Sequence, residues 1–359
     1  MYKLGIDIGS TTVKVALLDN ENKMIASNYK RHFANIQETL FDLVDELTNK
    51  IPNQEVAPVI TGSGGLALAN VLEIPFIQEV IAVSTALEAL DKHPDVAIEL
   101  GGEDAKIIYF GQTIEQRMNG ICAGGTGSFI DQMATLLKTD AAGLNEYAKN
   151  YKAVYPIAAR CGVFAKSDIQ PLINEGATKE DLSVSIFQAV VNQTISGLAC
   201  GKPIRGKVAF LGGPLHFLSE LKAAFIRTLN LDDDHVIAPE NSHLFAAMGS
   251  AMNSVLLPGG IPKPEKDIYK LSIDELAARL NKHIDIQFEV NRLRPLFKDS
   301  GEYNDFKVRH SQHSVIKADL ASYKGNAYLG IDAGSTTTKV ALVGEDGELL
   351  YSFYSNNNG

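Results

Sequence analysis

At 359 residues the chain exceeds one ordinary core, which points to two or more domains. Its 45% hydrophobic content suffices for buried cores, and 21% charged residues is ordinary for a water-soluble protein. A formal charge of -10, with Lys and Arg scattered rather than clustered, excludes a general nucleic-acid binder.

The first residues, Met1-Tyr2-Lys3, run straight into a strand-like LGIDIG and leave no room for a signal peptide. Apolar runs fall short of the ~20 residues that span a bilayer. The expectation is a cytoplasmic protein with neither membrane nor nucleic acid as partner. In a reducing compartment Cys122, Cys161 and Cys200 are not expected to form structural disulfides.

In chain order, the patterns predict strands over 2–8, 12–19, 23–31, 56–60, 95–99, 104–110 and 207–211. Helices are predicted over 36–49, 78–92, 127–138, 163–175, 180–199, 216–229 and 243–256. Three hairpin strands, then a helix, then further alternation predict an α/β fold with a mixed sheet. A second round of strands opens near Asp95, so two similar lobes, 1–92 and 93–257, would flank a cleft. The helix at 243–256 would be free to return to the first lobe. Pro and Gly from Leu257 to Lys266 mark a boundary. Residues 258–326 read as a connector of open fold, with a helix-like LSIDELAARLNKHI within it.

The chain also repeats itself. Residues 4–19 (LGIDIGSTTVKVALLD) and 329–344 (LGIDAGSTTTKVALVG) share 12 of 16 positions at an offset of 325. Residues 327–359 therefore read as the opening hairpin of a second, truncated module. The alternative is a C-terminal strand that completes another sheet.

In DIGSTTVK, Gly9 sits between two strands, where the chain turns sharply and exposes its amides. Ser10, Thr11 and Thr12 add hydroxyls and Lys14 a cation, which together form an anion grip without a helix. Asp7, closing the first strand, is placed to hold Mg²⁺ through water. Alone, the same residues make a plain hairpin with a Ser/Thr-rich turn. Three further elements follow in order. They are Glu99-Leu-Gly101-Gly102-Glu-Asp104-Ala-Lys106, then Phe210-Leu-Gly212-Gly213-Pro214, then a small-residue helix in PENSHLFAAMGSA. This succession resembles the phosphate 1, phosphate 2, adenosine and connecting elements of the acetate-kinase, sugar-kinase, Hsp70 and actin superfamily. The resemblance implies two ribonuclease H-like lobes around a nucleotide cleft, with ATP or ADP as ligand.

Cys122 lies in GICAGGTGSFI and Cys161 in ARCGVFAKSD, each just ahead of a predicted helix. A helix N-terminus stabilises a thiolate, and two such thiolates suit a metal cluster. A [4Fe–4S] cluster usually takes four, which a two-fold pair of modules would supply. Spacing alone favours buried structural cysteines, and Cys200 in GLACGK reads as a packing residue.

Taken together, DIGSTTVK, GGEDAK, CAGGTGSF, CGVFAKSD and FLGGP resemble the BadF/BadG/BcrA/BcrD ATPase family. That family includes the activases of 2-hydroxyacyl-CoA dehydratases and the ATPase subunits of benzoyl-CoA reductase. The resemblance covers 1–257. It implies an ATPase whose [4Fe–4S] cluster, held by Cys122 and Cys161 of two modules, passes a low-potential electron to an acyl-CoA dehydratase or reductase. The pair would be a homodimer or two modules of one longer chain. Ser10, Thr11, Thr12 and Lys14 would grip the phosphates opposite Gly101, Gly102 and Lys106. Asp7 and Asp104 would organise Mg²⁺ and water, with Glu99 in reserve, and Gly212 and Gly213 would lie against adenosine. Positions that depart from the family pattern include Glu99 for the common Asp, Glu103 for Gln, and, in CAGGTGSF for CAAGTGRF, Ser128 for Arg. A small-molecule kinase and an actin-like assembly module are the competing readings on the same fold.

Overall fold

The computed structural model describes residues 1–90, 93–119, 124–158, 162–257, 260–282, 293–334 and 337–356. It divides into two compact units, Met1–Ile286 and Gln287–Gly359.

The first unit opens with β1 (Tyr2–Ile8), β2 (Thr12–Leu18), β3 (Met24–Arg31), α1 (Ile36–Thr48), β4 (Glu55–Thr61), α2 (Gly65–Leu72) and α3 (Glu79–Glu88). It continues with β5 (Val96–Leu100), β6 (Ala105–Tyr109), β7 (Glu115–Met118), α4 (Gly127–Leu136), α5 (Ala141–Ala148), α6 (Gly162–Asn174) and α7 (Lys179–Thr194). Then come β8 (Val208–Leu211), α8 (Gly213–Phe217), α9 (Ser219–Leu229), β9 (Val236–Ile237) and α10 (Phe245–Asn253). It ends with β10 (Leu256–Leu257), β11 (Ile261–Pro262), β12 (Leu271–Ser272) and α11 (Ile273–Leu280).

Two five-stranded sheets result, ordered β12-β4-β1-β2-β3 and β7-β6-β5-β8-β9. In each, the three consecutive strands run antiparallel and the first of them pairs in parallel with the strand that follows a helical crossover. This is a mixed α/β fold of two ribonuclease H-like lobes, the actin, Hsp70 and sugar-kinase architecture.

Alternation on α1 buries Leu40, Leu43, Val44 and Leu47 against the first sheet, as the 3.6-residue period requires. The second lobe buries Phe187 and Val191 of α7 with Ile98, Leu100 and Ile107 of its sheet. Between the sheets lie α3 and α10. Phe245 and Ala246 of α10 pack with Val83 of α3 and with Ala97, Ile108 and Leu211 of the second sheet. Ala251 and Met252, one turn on, pack on Leu18 of the first. Contact with β1 requires a bare backbone, since a Cβ on Gly5 would stand 1.7 Å from the Ala247 carbonyl oxygen.

Several elements of the first unit have no counterpart in the sequence pattern, among them α2, α5, β7 and the two-residue strands β9, β10 and β11. A larger difference concerns the stretch read as a connector. Within 258–326, β12 pairs with β4 (Leu271 opposite Val56), and Leu271, Ile273, Leu276 and Leu280 are buried in the first-lobe core. Ser272 caps α11 by accepting from the Asp274 amide, and Gln37 donates to the carbonyls of Leu280 and Lys282. The first lobe is thus closed by chain that arrives more than 200 residues after it began. Residues 179–199 form one continuous helix whose most apolar 18-residue stretch has mean hydropathy 1.2 and is 67% buried, so its apolar length serves the core.

The second unit holds α12 (Ser300–Ser311) and an antiparallel meander of β13 (Ala327–Ala333), β14 (Thr337–Gly344) and β15 (Leu349–Asn356). Its register repeats that of β1–β3: Asp332 stands opposite Lys339 as Asp7 stands opposite Lys14.

Candidate active site

The β1–β2 turn closes with the Gly9 amide donating to the Thr12 carbonyl at 2.9 Å. Lys14 then reaches back along the hairpin to place Nζ 2.6 Å from Asp7 Oδ2. Asp7 is 1% exposed, and its other oxygen, Oδ1, has no hydrogen-bond partner. Ser10 Oγ is likewise buried without one. Burial works to lower the Lys14 ammonium, but the Asp7 carboxylate outweighs it and holds Lys14 above its ordinary value.

The second turn, between β5 and β6, closes with the Gly101 amide donating to the Asp104 carbonyl at 2.7 Å. Its own carbonyls, Gly101 O and Gly102 O, accept from the Gly127 and Ser128 amides at the start of α4, at 3.0 and 2.7 Å. The tip faces the first hairpin: a Cβ on Gly102 would stand 2.1 Å from Thr11 Oγ1. Two glycine turns from opposite lobes therefore meet across one cleft. A third turn adds Gly212, whose φ of +90° disfavours any side chain, and whose missing Cβ would sit 2.0 Å from the Leu100 carbonyl oxygen. Tyr29 of β3 leans across to Gly213, and Arg31 pairs with Asp131 of α4 at 2.8 Å, so both lobes touch at the mouth.

The enclosed part of the cleft has a volume of about 110 Å³. Asp7, Gly9, Ser10, Thr11, Thr12 and Lys14 line one wall, and Glu99, Gly101, Gly102, Asp104, Gly212 and Gly213 the other. Lys106 is placed otherwise than the sequence suggests. Its side chain is 4% exposed, and Nζ is held 2.5 Å from Asp104 Oδ2, 2.7 Å from Glu79 Oε1 and 3.6 Å from Glu99 Oε2. Three carboxylates already neutralise it, so it acts as a strut behind the glycine turn. At 3.6 Å the Glu99 contact is too long for a hydrogen bond, which leaves Glu99 Oε2 buried and unpartnered.

Burial pushes the Glu79 carboxyl up to about 7, with Lys106 opposing and Glu99 reinforcing. It raises Glu99 as well, again against Lys106. For Asp104 burial acts in the same direction, but the Lys106 ammonium wins and holds that carboxyl below its usual range. Among the described residues no three His, Cys, Asp or Glu side chains converge to hold a metal alone. Mg²⁺ carried with a triphosphate needs only one or two carboxylates, and the orphaned Asp7 Oδ1 fits that demand.

Sequence reasoning missed Glu79, Ser63 and Tyr29, all on the cleft wall. Ser63 had a legible signal in the glycine-rich Thr61-Gly62-Ser63-Gly64-Gly65. An acidic residue in a first helical turn has none, because ordinary helices carry one there.

Cys122 and Cys161 lie outside the described residues. The helices that follow them meet: a Cβ on Gly162, opening α6, would stand 2.7 Å from Gln132 Oε1 on α4. Cys200, read as a packing residue, is exposed, because the helix ends there in a left-handed turn with φ of +46°.

The chain is 26% identical over 269 residues to the 2-hydroxyisocaproyl-CoA dehydratase activator of Clostridioides difficile, covering 70% of this chain and 94% of that protein. To the (R)-2-hydroxyglutaryl-CoA dehydratase activating ATPase of Acidaminococcus fermentans it is 29% identical over 218 residues, covering 59% and 83%. The solved structure of the former activator with bound ADPNP superposes with a TM-score of 0.60 at 25% identity, over 70% of this chain and 93% of that one. Component A of the Acidaminococcus dehydratase, at 24% identity, shares the fold with a TM-score of 0.61 over 70% and 96%. A family profile matches residues 4–252, well over half of the sequence, and the chain belongs to the BadF/BadG/BcrA/BcrD ATPase family.

Proposed function

We propose that this chain binds and hydrolyses Mg²⁺-ATP in the cleft between its lobes and uses the cycle to activate an acyl-CoA dehydratase or reductase. One observation carries the reading: glycine turns from both lobes converge, with Asp7 Oδ1 and Ser10 Oγ buried and unpartnered between them. A buried polar atom without a partner costs ~1–3 kcal/mol, and such atoms persist where a ligand satisfies them. The amides of the first hairpin, the hydroxyls of Ser10, Thr11 and Thr12, and Lys14 would hold the β- and γ-phosphates. Gly101 and Gly102 would close on the γ-phosphate from the other side, and Gly212 and Gly213 would admit adenosine against bare backbone. Asp7 would position Mg²⁺ through water. Catalysis would rest on positioning and charge neutralisation.

The names of the similar activators support the choice of partner. A [4Fe–4S] cluster bound by Cys122 and Cys161 of two modules would supply one electron at low potential. The two modules would come from a homodimer or from a second module opened by the 327–359 hairpin. The site of action would be the cytoplasm.

Equilibrium binding of a fluorescent ATP analogue with Mg²⁺, followed by ATP turnover, tests the nucleotide reading. Binding is expected to be lost in Lys14→Met and retained in Cys122→Ser. Anaerobically purified protein should carry about four iron atoms per two modules, and Cys122→Ser should carry none. Phosphoryl transfer to a metabolite would move the assignment to a kinase, and filaments without turnover would move it to an assembly module.

A further inference from the structure

We propose that His32 aims the phosphate-gripping hairpin. From behind the turn it pins the Gly9 and Thr11 carbonyls, and so directs the Ser10 amide toward the bound anion. The assignment rests on the nucleotide reading above and gives a role to a residue that lies in none of the glycine or cysteine motifs.

His32 follows β3 directly and is 6% exposed. Gly9, Ser10, Thr11 and Thr12 line the nucleotide cleft, and His32 is not among the residues that do. Its Nε2 lies 3.1 Å from the Gly9 carbonyl oxygen, and its amide donates to the Thr11 carbonyl at 3.2 Å. One residue outside the cleft therefore holds two carbonyls of a single loop. A trans peptide sets its C=O and its N–H in opposite directions. Pinning the Gly9 carbonyl on His32 thus points the Ser10 amide away from His32, on a loop whose other side faces the cleft. The Thr12 amide is turned from His32 in the same way. Were the Gly9–Ser10 peptide to flip, an oxygen would take the place of an amide that an anion needs.

Both ring nitrogens are committed. The Ala34 amide donates to Nδ1 at 3.1 Å, so that nitrogen accepts, and the proton sits on Nε2 and is donated to Gly9. This geometry requires Phe33 and Ala34 to take left-handed backbone, at φ of +44° and +68°. Bulky residues rarely do so. Packing does not explain the conformation, since Phe33 is 81% exposed and Ala34 is exposed as well. What the turn achieves is the orientation of the imidazole: it brings one amide back to Nδ1, while the Asn35 amide closes on the His32 carbonyl at 2.6 Å. Strained backbone of this kind persists where the surrounding structure holds it, and it clusters at ligand clamps. His32 acts through the loop rather than on the nucleotide, which makes it a positioning residue.

His32→Leu keeps the bulk and removes the donor, whereas His32→Gln places an amide nitrogen within similar reach of the Gly9 carbonyl. Titration of the folded, intact chain with Mg²⁺-ATP should give a Kd raised about 10–10²-fold in His32→Leu, the range of one hydrogen bond to a charged group. His32→Gln should recover most of that loss. A residue that only packed the turn would lower the urea midpoint and leave the Kd of the folded chain unchanged. Should His32→Leu fold too poorly to titrate, nitrogen-15 spectra of the unmodified chain provide the reading. There His32 should be the Nε2–H tautomer at mildly alkaline pH, and the Nδ1–H tautomer would overturn the assignment. Parental affinity in His32→Leu, or equal weakening in the Leu and Gln variants, would overturn it too while nucleotide binding stood. Failure of the unmodified chain to bind Mg²⁺-ATP would instead remove the nucleotide reading and this assignment with it.

Discussion

Lys14 and Asp7 form a pair whose two members serve different ends. In the proposed reading the lysine would turn its charge to the phosphates, and in the ligand-free chain it is spent on Asp7, 2.6 Å away and nearly inaccessible. Removing one member of a buried pair leaves the other uncompensated and costs about 3–5 kcal/mol. Lys14→Met should therefore lower the ligand-free unfolding midpoint in urea as well as abolish binding, and Asp7→Asn/Lys14→Met should recover much of the stability without the binding. If the single variant unfolded like the parent, the pair would contribute nothing before ligand arrives. The Glu79 carboxyl gives a second test at this scale. Its folded value, about 7, exceeds the ordinary 4.5, so the folded chain binds a proton that the unfolded chain releases. Its contribution is complete below pH 4.5 and is lost as pH rises through 7. Ligand-free stability should decline across that window, and Glu79→Gln should flatten the decline. A slope that the substitution leaves unchanged would place the titrating group elsewhere.

Helix α10 shows how an element can hold two lobes at once. Phe245 and Ala246 belong to the second sheet and Ala251 and Met252 to the first, so one turn separates contacts to different lobes. The junction tolerates no added volume at Gly5, where a methyl group would overlap the Ala247 carbonyl. Gly5→Ala should cost at least about 1–3 kcal/mol, the usual penalty of overpacking, and should weaken nucleotide binding by shifting the lobes apart. Unfolding and Mg²⁺-ATP titration together check this; a loss of stability with unchanged affinity would mean that α10 does not set the cleft. The glycine turns were legible in the sequence as paired glycines between strand patterns, and at Gly212 the φ of +90° and the nearby Leu100 carbonyl leave no room for a side chain. Glu79 was not legible, because its meaning depends on Lys106, a partner on another lobe. Residues 271–280 were not legible either. Their helical pattern is plain, but the surface they cover, Val56 and Gln37, lies more than 200 positions away.

At the scale of the whole molecule, the same hairpin sequence occurs in two environments. Leu4 and Ile6 of β1 are fully buried, whereas Leu329 and Ile331, at equivalent positions, are 62% and 65% exposed. The first unit keeps its buried core clusters within residues 1–286. A chain ending after residue 286 should therefore melt like the parent's first unit and bind Mg²⁺-ATP. The same truncation should lose the dye-binding apolar surface carried by Leu329, Ile331, Phe353 and Tyr354. A chain ending after residue 257, at the Pro/Gly boundary that the sequence suggests, should behave differently. It sheds Leu271, Ile273, Leu276 and Leu280, four buried side chains at roughly 1.5–3 kcal/mol each. Against a domain total of about 5–15 kcal/mol, that loss takes most of the margin and uncovers the edge of β4. The shorter chain should aggregate or melt far below the longer one by calorimetry. Equal melting of the two would mean that β12 and α11 rest on the first lobe without holding it together.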